Sequence, residues 1–154
     1  MRTLILGLGN PILTDDAVGL HVARRLHKLL GDQDVDLVEA AVAGLQSVDL
    51  ISRYDRAVII DAVPDGEQSG KVWRIDGAAL ESGAAPSSHG IGLGQALRLA
   101  RELSMRLPEE TILYAIAVVD PYTFGEGMTP QVEQALPGVV QEIATDLARL
   151  WGRI

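Results

Sequence analysis

Two acids and one histidine carry most of the chemistry this sequence can offer. Asp16 follows an apolar run and a glycine-bearing loop in "LILGLGNPILTDDAVGLHVARRL" (4–26), Asp61 closes the apolar run "VIID", and His89 opens a helix after the small-residue stretch "GAALESGAAPSS" (77–88). Two carboxylates and an imidazole form an O, O, N set able to hold a borderline divalent ion such as nickel or zinc. Each residue also has a plain structural reading. Asp15 and Asp16 stand just before a helix, where an acid caps free amides and meets the positive end of the dipole. Asp61, finishing a buried strand, must be solvated, paired or bound to something. His89 suits a capping or surface position, while a helix N-terminus disfavours imidazolium and so leaves a neutral ring for a metal. His21 and His27 fall off the apolar stripe of their helix and are expected to face solvent.

The opening loop invites a nucleotide reading, which its residues argue against. Gly7 and Gly9 fit a dinucleotide fingerprint, but its third glycine position is Ile12, and Asp15 and Asp16 would repel a pyrophosphate at the helix start. Glu39, at the end of the second strand, would be the ribose acid of that reading. No Gly-Lys-Ser/Thr follows the loop, and neither Gly-x-Ser-x-Gly nor His-Glu-x-x-His occurs in the chain.

The elements that must position these residues follow from apolar spacing. Thr3 to Leu6, closed by Gly7, reads as a buried strand; Ala17 to Leu30 reads as a helix with Val18, Val22, Leu26 and Leu29 on one stripe and Gly31 as its stop. "VDLVEA" (35–40) is a second strand, "GLQSVDLISR" (44–53) a short helix, and "RAVIIDAV" (56–63) a third strand with Asp61 at its end. Only "PDGEQSGK" separates Val63 from Val72, too little for a parallel crossover of a dozen or more residues. "VWRID" (72–76) is therefore expected to run antiparallel to its predecessor. The stretch 77–88 reads as loop, about Gly90 to Arg106 as a helix with Leu93, Ala96, Leu97 and Ala100 inward, and "TILYAIAV" (111–118) as the fifth strand. After the loop "DPYTFGEGM", Thr129-Pro130 starts a closing helix that Pro137 should kink or restart. The result is an α/β fold: a three-layer α/β/α sandwich around a five-stranded, mostly parallel sheet with one antiparallel strand, forming a single domain over 1–154. Such sheets bind ligands at the carboxyl ends of their strands.

Composition bounds the function. The chain is 47% apolar but only 4% aromatic, which implies an aliphatic core. A net charge of -8 without a Lys/Arg cluster argues against nucleic acid or an anionic membrane as partner. The absence of cysteine removes disulfides, thiolate metal sites and a thiol nucleophile. With no signal-peptide pattern at the start and no run of roughly 18 apolar residues, a soluble cytoplasmic protein is expected, working as a monomer.

In these motifs the chain resembles the hydrogenase maturation proteases, endopeptidases that trim the C-terminus of the [NiFe] hydrogenase large subunit. The likeness rests on "GLGNPILTDDAVG" with Asn10, Asp15, Asp16 and Gly19; on "VIIDAV" with Asp61; on "SSHGIGL" with His89; and on "GMTPQV" (127–132). It covers essentially the whole chain, with Ala17 where the family often has Gly. The resemblance implies that Asp16, Asp61 and His89 are both the catalytic and the metal-binding residues. It implies that they engage nickel presented by the large-subunit precursor, which is then cut near its C-terminus. Water would be activated either by the metal or by a carboxylate. Peptidyl-tRNA hydrolases share Gly-Leu-Gly-Asn-Pro, but this chain has Asp-Asp where they carry Arg-His-Asn. A metal-binding module without catalysis is the alternative from another class.

Overall fold

In the computed structural model, which describes residues 1–31, 33–42, 44–65, 68–86 and 88–152, the first strand, β1 (Thr3–Leu8), is buried along its whole length. Ala43, Ser87 and the Gly66-Glu67 part of the Pro64–Lys71 connection therefore lie outside the described residues. Burial on both faces is what a parallel strand between helical layers requires. After a 3-10 turn at Thr14–Ala17 come α1 (Val18–Leu30), β2 (Val35–Ala40), α2 (Leu45–Ile51), β3 (Arg56–Pro64) and β4 (Val72–Asp76). Next are α3 (Gly77–Glu81), α4 (Ser88–Glu102), β5 (Glu110–Val118) and α5 (Pro130–Trp151). The sheet order is β2-β1-β3-β5-β4. All neighbours pair in parallel except β4, which is antiparallel to β5. The short connection thus reverses the chain as expected, but β4 takes the edge position beyond β5 and does not pair with β3.

Alternation along the strands builds two cores. Ile5, Val58, Ile60, Tyr114 and Ile116 face α1 and α5, whereas Leu4, Leu6, Ile59 and Leu113 face α2, α3 and α4. Val18, Val22 and Leu26 of α1 are essentially inaccessible. Each such aliphatic contributes roughly 1.5–3 kcal/mol on burial, so docking onto the sheet, more than helix propensity, holds α1. Leu29 was expected on this stripe, yet it is exposed, and Leu30 makes the packing contact at the last turn. Glycine permits the closest contact of α1 with the sheet: a Cβ on Gly19 would lie 2.4 Å from the Leu8 carbonyl oxygen and 2.6 Å from that of Ile60.

Three other boundaries differ from expectation. The stretch 77–88 is not all loop, because α3 forms at its start to bury Leu80. The fourth helix stops at Glu102, not Arg106: Ser104 turns left-handed (φ 55°) and the Met105 amide reaches back to the Ala100 carbonyl at 2.9 Å, closing the helix C-terminus. Pro137 does not divide the last helix, which runs from Pro130 to Trp151 as one element.

Candidate active site

The chain leaves β1 toward β2 on one side and returns through β3 on the other, so the carboxyl ends of β1 and β3 diverge and open a crevice. Pairing between these strands ends at Gly7 and Ile60. Asp61 is the next residue of β3. It is therefore not the end of its strand, which continues to Pro64 beside β5, but the first residue past the stretch that β1 covers. A cleft of about 250 Å³ lies here, lined among others by Asn10, Asp16, Asp61 and His89. The three residues singled out from sequence thus come together from three distant points of the chain.

Gly9 lets the loop turn back tightly, since a Cβ there would sit 2.1 Å from the Asp16 carbonyl oxygen. That approach lets the Asn10 amide donate to Asp16 Oδ2 at 2.8 Å. Burial pushes the Asp16 carboxyl above the usual carboxylate range; the Asn10 hydrogen bond opposes this, and the negative charge of Asp61 reinforces it. Asp61 is only 4% exposed. Its Oδ1 accepts from the Ala62 amide at 2.8 Å, and Oδ2 meets His89 Nδ1 at 3.2 Å. Asp16 Oδ1 and His89 Nε2 have no hydrogen-bond partner among the described residues. The geometry fits a His89 that donates from Nδ1–H to Asp61, which keeps the Nε2 lone pair available. As placed, no group of three or more His, Asp or Glu side chains among the described residues is arranged to hold a metal ion.

The electrostatics of His89 reverse the expectation from helix position. Its hydrogen bond to the Asp61 carboxylate raises the imidazole above its ordinary value, outweighing partial burial, and the Asp61 and Asp16 charges add to the rise. A nearby carboxylate acts at closer range than the helix dipole. Because the folded value lies above the unfolded one, the pair stabilises the fold fully below about pH 6.5, and the contribution is lost as pH rises through the His89 midpoint. An NMR titration of His89 should give a midpoint above about 6.5 in the native protein, falling back toward that value in Asp61→Asn. Equal midpoints in the two proteins would rule the pairing out.

Asp15 has a role that sequence did not reveal. Neither it nor Asp16 caps a helix through its side chain. Asp15 is fully buried and accepts hydrogen bonds from the Val119, Asp120 and Thr129 amides at 3.1, 2.8 and 2.7 Å and from the Thr129 hydroxyl. Thr129 starts α5 as expected, but its hydroxyl serves Asp15 and not its own helix. The signal was an acid pair upstream of a Thr-Pro helix start, legible only once the two are known to be neighbours. His27 is not solvent-facing either: it is half-buried, with Nε2 3.0 Å from the Val35 carbonyl oxygen. His21 is half-buried too, and burial first, then Arg24 and Arg25, hold it below its ordinary value. Glu39, the acid of the nucleotide reading, is gripped by the Arg24 guanidinium.

A mixed five-stranded sheet between helical layers, with an acid–imidazole cleft at its switch point, defines a protein of the doubly wound α/β class with its candidate site where such folds bind ligands. The family is then specific. The chain belongs to the hydrogenase maturation protease family, whose profile matches residues 20–146, and it is a peptidase. It is 28% identical over 155 residues to the hydrogenase expression/formation protein HupD of Rhizobium leguminosarum bv. viciae, covering 98% of this chain and 76% of that one. To the hydrogenase 2 maturation protease of Escherichia coli K12 it is 26% identical over 158 residues, covering 96% and 91%. Among solved structures, the [NiFe] hydrogenase maturation protease HybD from Thermococcus kodakarensis superposes with a TM-score of 0.71 at 29% identity, covering 96% and 99%. The E. coli endopeptidase HybD, at 23% identity, shares the fold with a TM-score of 0.72 over 98% and 94%. No helix among the described residues is long and apolar enough to cross a membrane.

Proposed function

We propose that this peptidase removes a C-terminal extension from the nickel-loaded large-subunit precursor of a [NiFe] hydrogenase, and that Asp16, Asp61 and His89 engage the inserted nickel. The observation that carries the reading is the convergence of these residues on one cleft in a chain of this family. Asp16 Oδ1 and His89 Nε2 are the donors left for the substrate's metal, and Asp61 orients the imidazole through Nδ1. Nickel on the substrate would supply Lewis acidity at the bond to be cut. Asp16 Oδ2, the oxygen held by the Asn10 amide, is left to take a proton from the attacking water and return it to the departing amine. Nickel then acts as a gate: a precursor without it lacks the central contact and binds poorly in register. The setting that fits is a monomer in the cytoplasm, with neither nucleic acid nor membrane as partner.

Incubating the protein with nickel-loaded and nickel-free precursor and weighing the products by mass spectrometry tests this. Loss of a C-terminal peptide from the loaded sample alone is expected. Cleavage of nickel-free precursor at an equal rate would overturn the gate, and a stable complex without mass change would overturn catalysis in favour of a binding module.

A further inference from the structure

The chain has a single Phe, and among the described residues it is the most exposed of the large apolar side chains: Phe124 is 80% exposed and Tyr122 follows at 71%. Both sit on the loop between β5 and α5. That loop is fastened along its length, so the rings are presented by a fixed backbone. The Asp120 carboxylate accepts from the Tyr122 and Thr123 amides, both at 2.9 Å, and the Thr14 hydroxyl donates to the Thr123 carbonyl. Gly125 exchanges backbone hydrogen bonds with Ile12 and Thr14, at 2.9 and 3.0 Å, and the buried Asp15 carboxylate ties down both ends of the loop.

The segment to which the loop is bolted, Ile12 to Asp15, lies between Asn10 and Asp16, both of which line the cleft. Ile12 is itself 46% exposed and pairs through its carbonyl with Gly125, next to Phe124. Two rings and an aliphatic side chain, fixed in water beside a cleft, are preorganised for burial against a partner, because little ordering remains to be done on contact. We propose that Ile12, Tyr122 and Phe124 form a rigid docking lip that grips the body of the protein substrate while the cleft receives the segment to be cut. The lip also carries Asp120, which its hydrogen bonds with Thr123 and Tyr122 keep well below the usual carboxylate range, and Glu126. The matching surface is therefore an apolar patch bordered by basic side chains. This rests on the reading of the large-subunit precursor as substrate, and the fastening of the lip to the segment between the cleft residues Asn10 and Asp16 is what assigns it to that substrate rather than to another protein.

The test compares native protein, the double variant Tyr122→Ala/Phe124→Ala, and Leu29→Ala, another exposed apolar site, at the far end of α1. KM and kcat are measured on nickel-loaded precursor, Kd on nickel-free precursor by calorimetry, and oligomeric state by sedimentation. The double variant should raise both KM and Kd by about tenfold or more with kcat within about threefold. Leu29→Ala should stay within about twofold, as surface changes usually do. Because both aromatic side chains are exposed, thermal midpoints should match and separate lost docking from lost folding. Unaltered KM and Kd in the double variant, with the native protein cleaving normally, would sink the lip and leave the proposed function standing. A native protein that neither binds nor cleaves the precursor would sink both. A native dimer that the double variant dissolves would show that a second copy covers the rings, overturning the assignment.

Discussion

Asp61→Asn is expected to lower processing of nickel-loaded precursor by about a thousandfold or more, within the range that losing a positioned acid–base group costs, while the protein stays folded. The substitution is nearly isosteric. Asn Oδ1 can still accept from the Ala62 amide, so the backbone bond that seats the side chain survives. What disappears is the charge facing His89. Without it the imidazole loses the partner that orients its ring and raises its affinity for a proton. The new amide N–H would face His89 Nδ1 and favour the tautomer with its proton on Nε2, the nitrogen whose lone pair the substrate's nickel requires. Single-turnover cleavage followed by mass spectrometry measures the effect, with a thermal melt run beside it. A rate within tenfold of native, at an unaltered melting temperature, would place the chemistry elsewhere.

The largest effect on stability should fall one residue away from the cleft acid. Asp15→Ala is expected to cost about 3–5 kcal/mol, because three backbone amides and a hydroxyl lose a fully buried charged acceptor. Separate penalties of about 1–3 kcal/mol per orphaned group would sum higher, but water entering the gap offsets part of them. Asp15→Asn keeps one acceptor oxygen and should fall between. Asp16→Ala, by contrast, removes a half-buried carboxyl whose charge folding already disfavours, and should cost about 1 kcal/mol or less. Urea unfolding of the three variants reads the difference directly. Equal losses for Asp15→Ala and Asp16→Ala would contradict the division of labour between them.

That division explains what could and could not be read in advance. Adjacent residues in a 3-10 turn project about 120° apart, so an Asp-Asp pair there points one carboxylate inward and the other toward the crevice. Which does which depends on what lies on each side, and the loop that fills the inward side comes from residues more than 100 positions later. The same holds for His89: its helix-start position argued for a neutral ring, and a carboxylate from β3 reversed the sign. Leu29 and the early stop at Ser104 belong to a humbler class, where local pattern extended a helix face or a helix length beyond what packing and a left-handed turn allowed.

By itself the amino-acid sequence determined the succession of the strands and of every helix but α3, the burial of the central parallel strands, the reversal at β4 and the three residues worth watching. All of these are local, carried by apolar periodicity, glycine and proline placement, and the length of connections. Only the tertiary structure decided that β4 lies beyond β5, that Asp61 stands where β1 leaves the sheet, and that Asp15, beside the acid already singled out, is buried to hold the β5–α5 loop. Those outcomes depend on contacts between segments far apart in the chain, whose energies no local window contains.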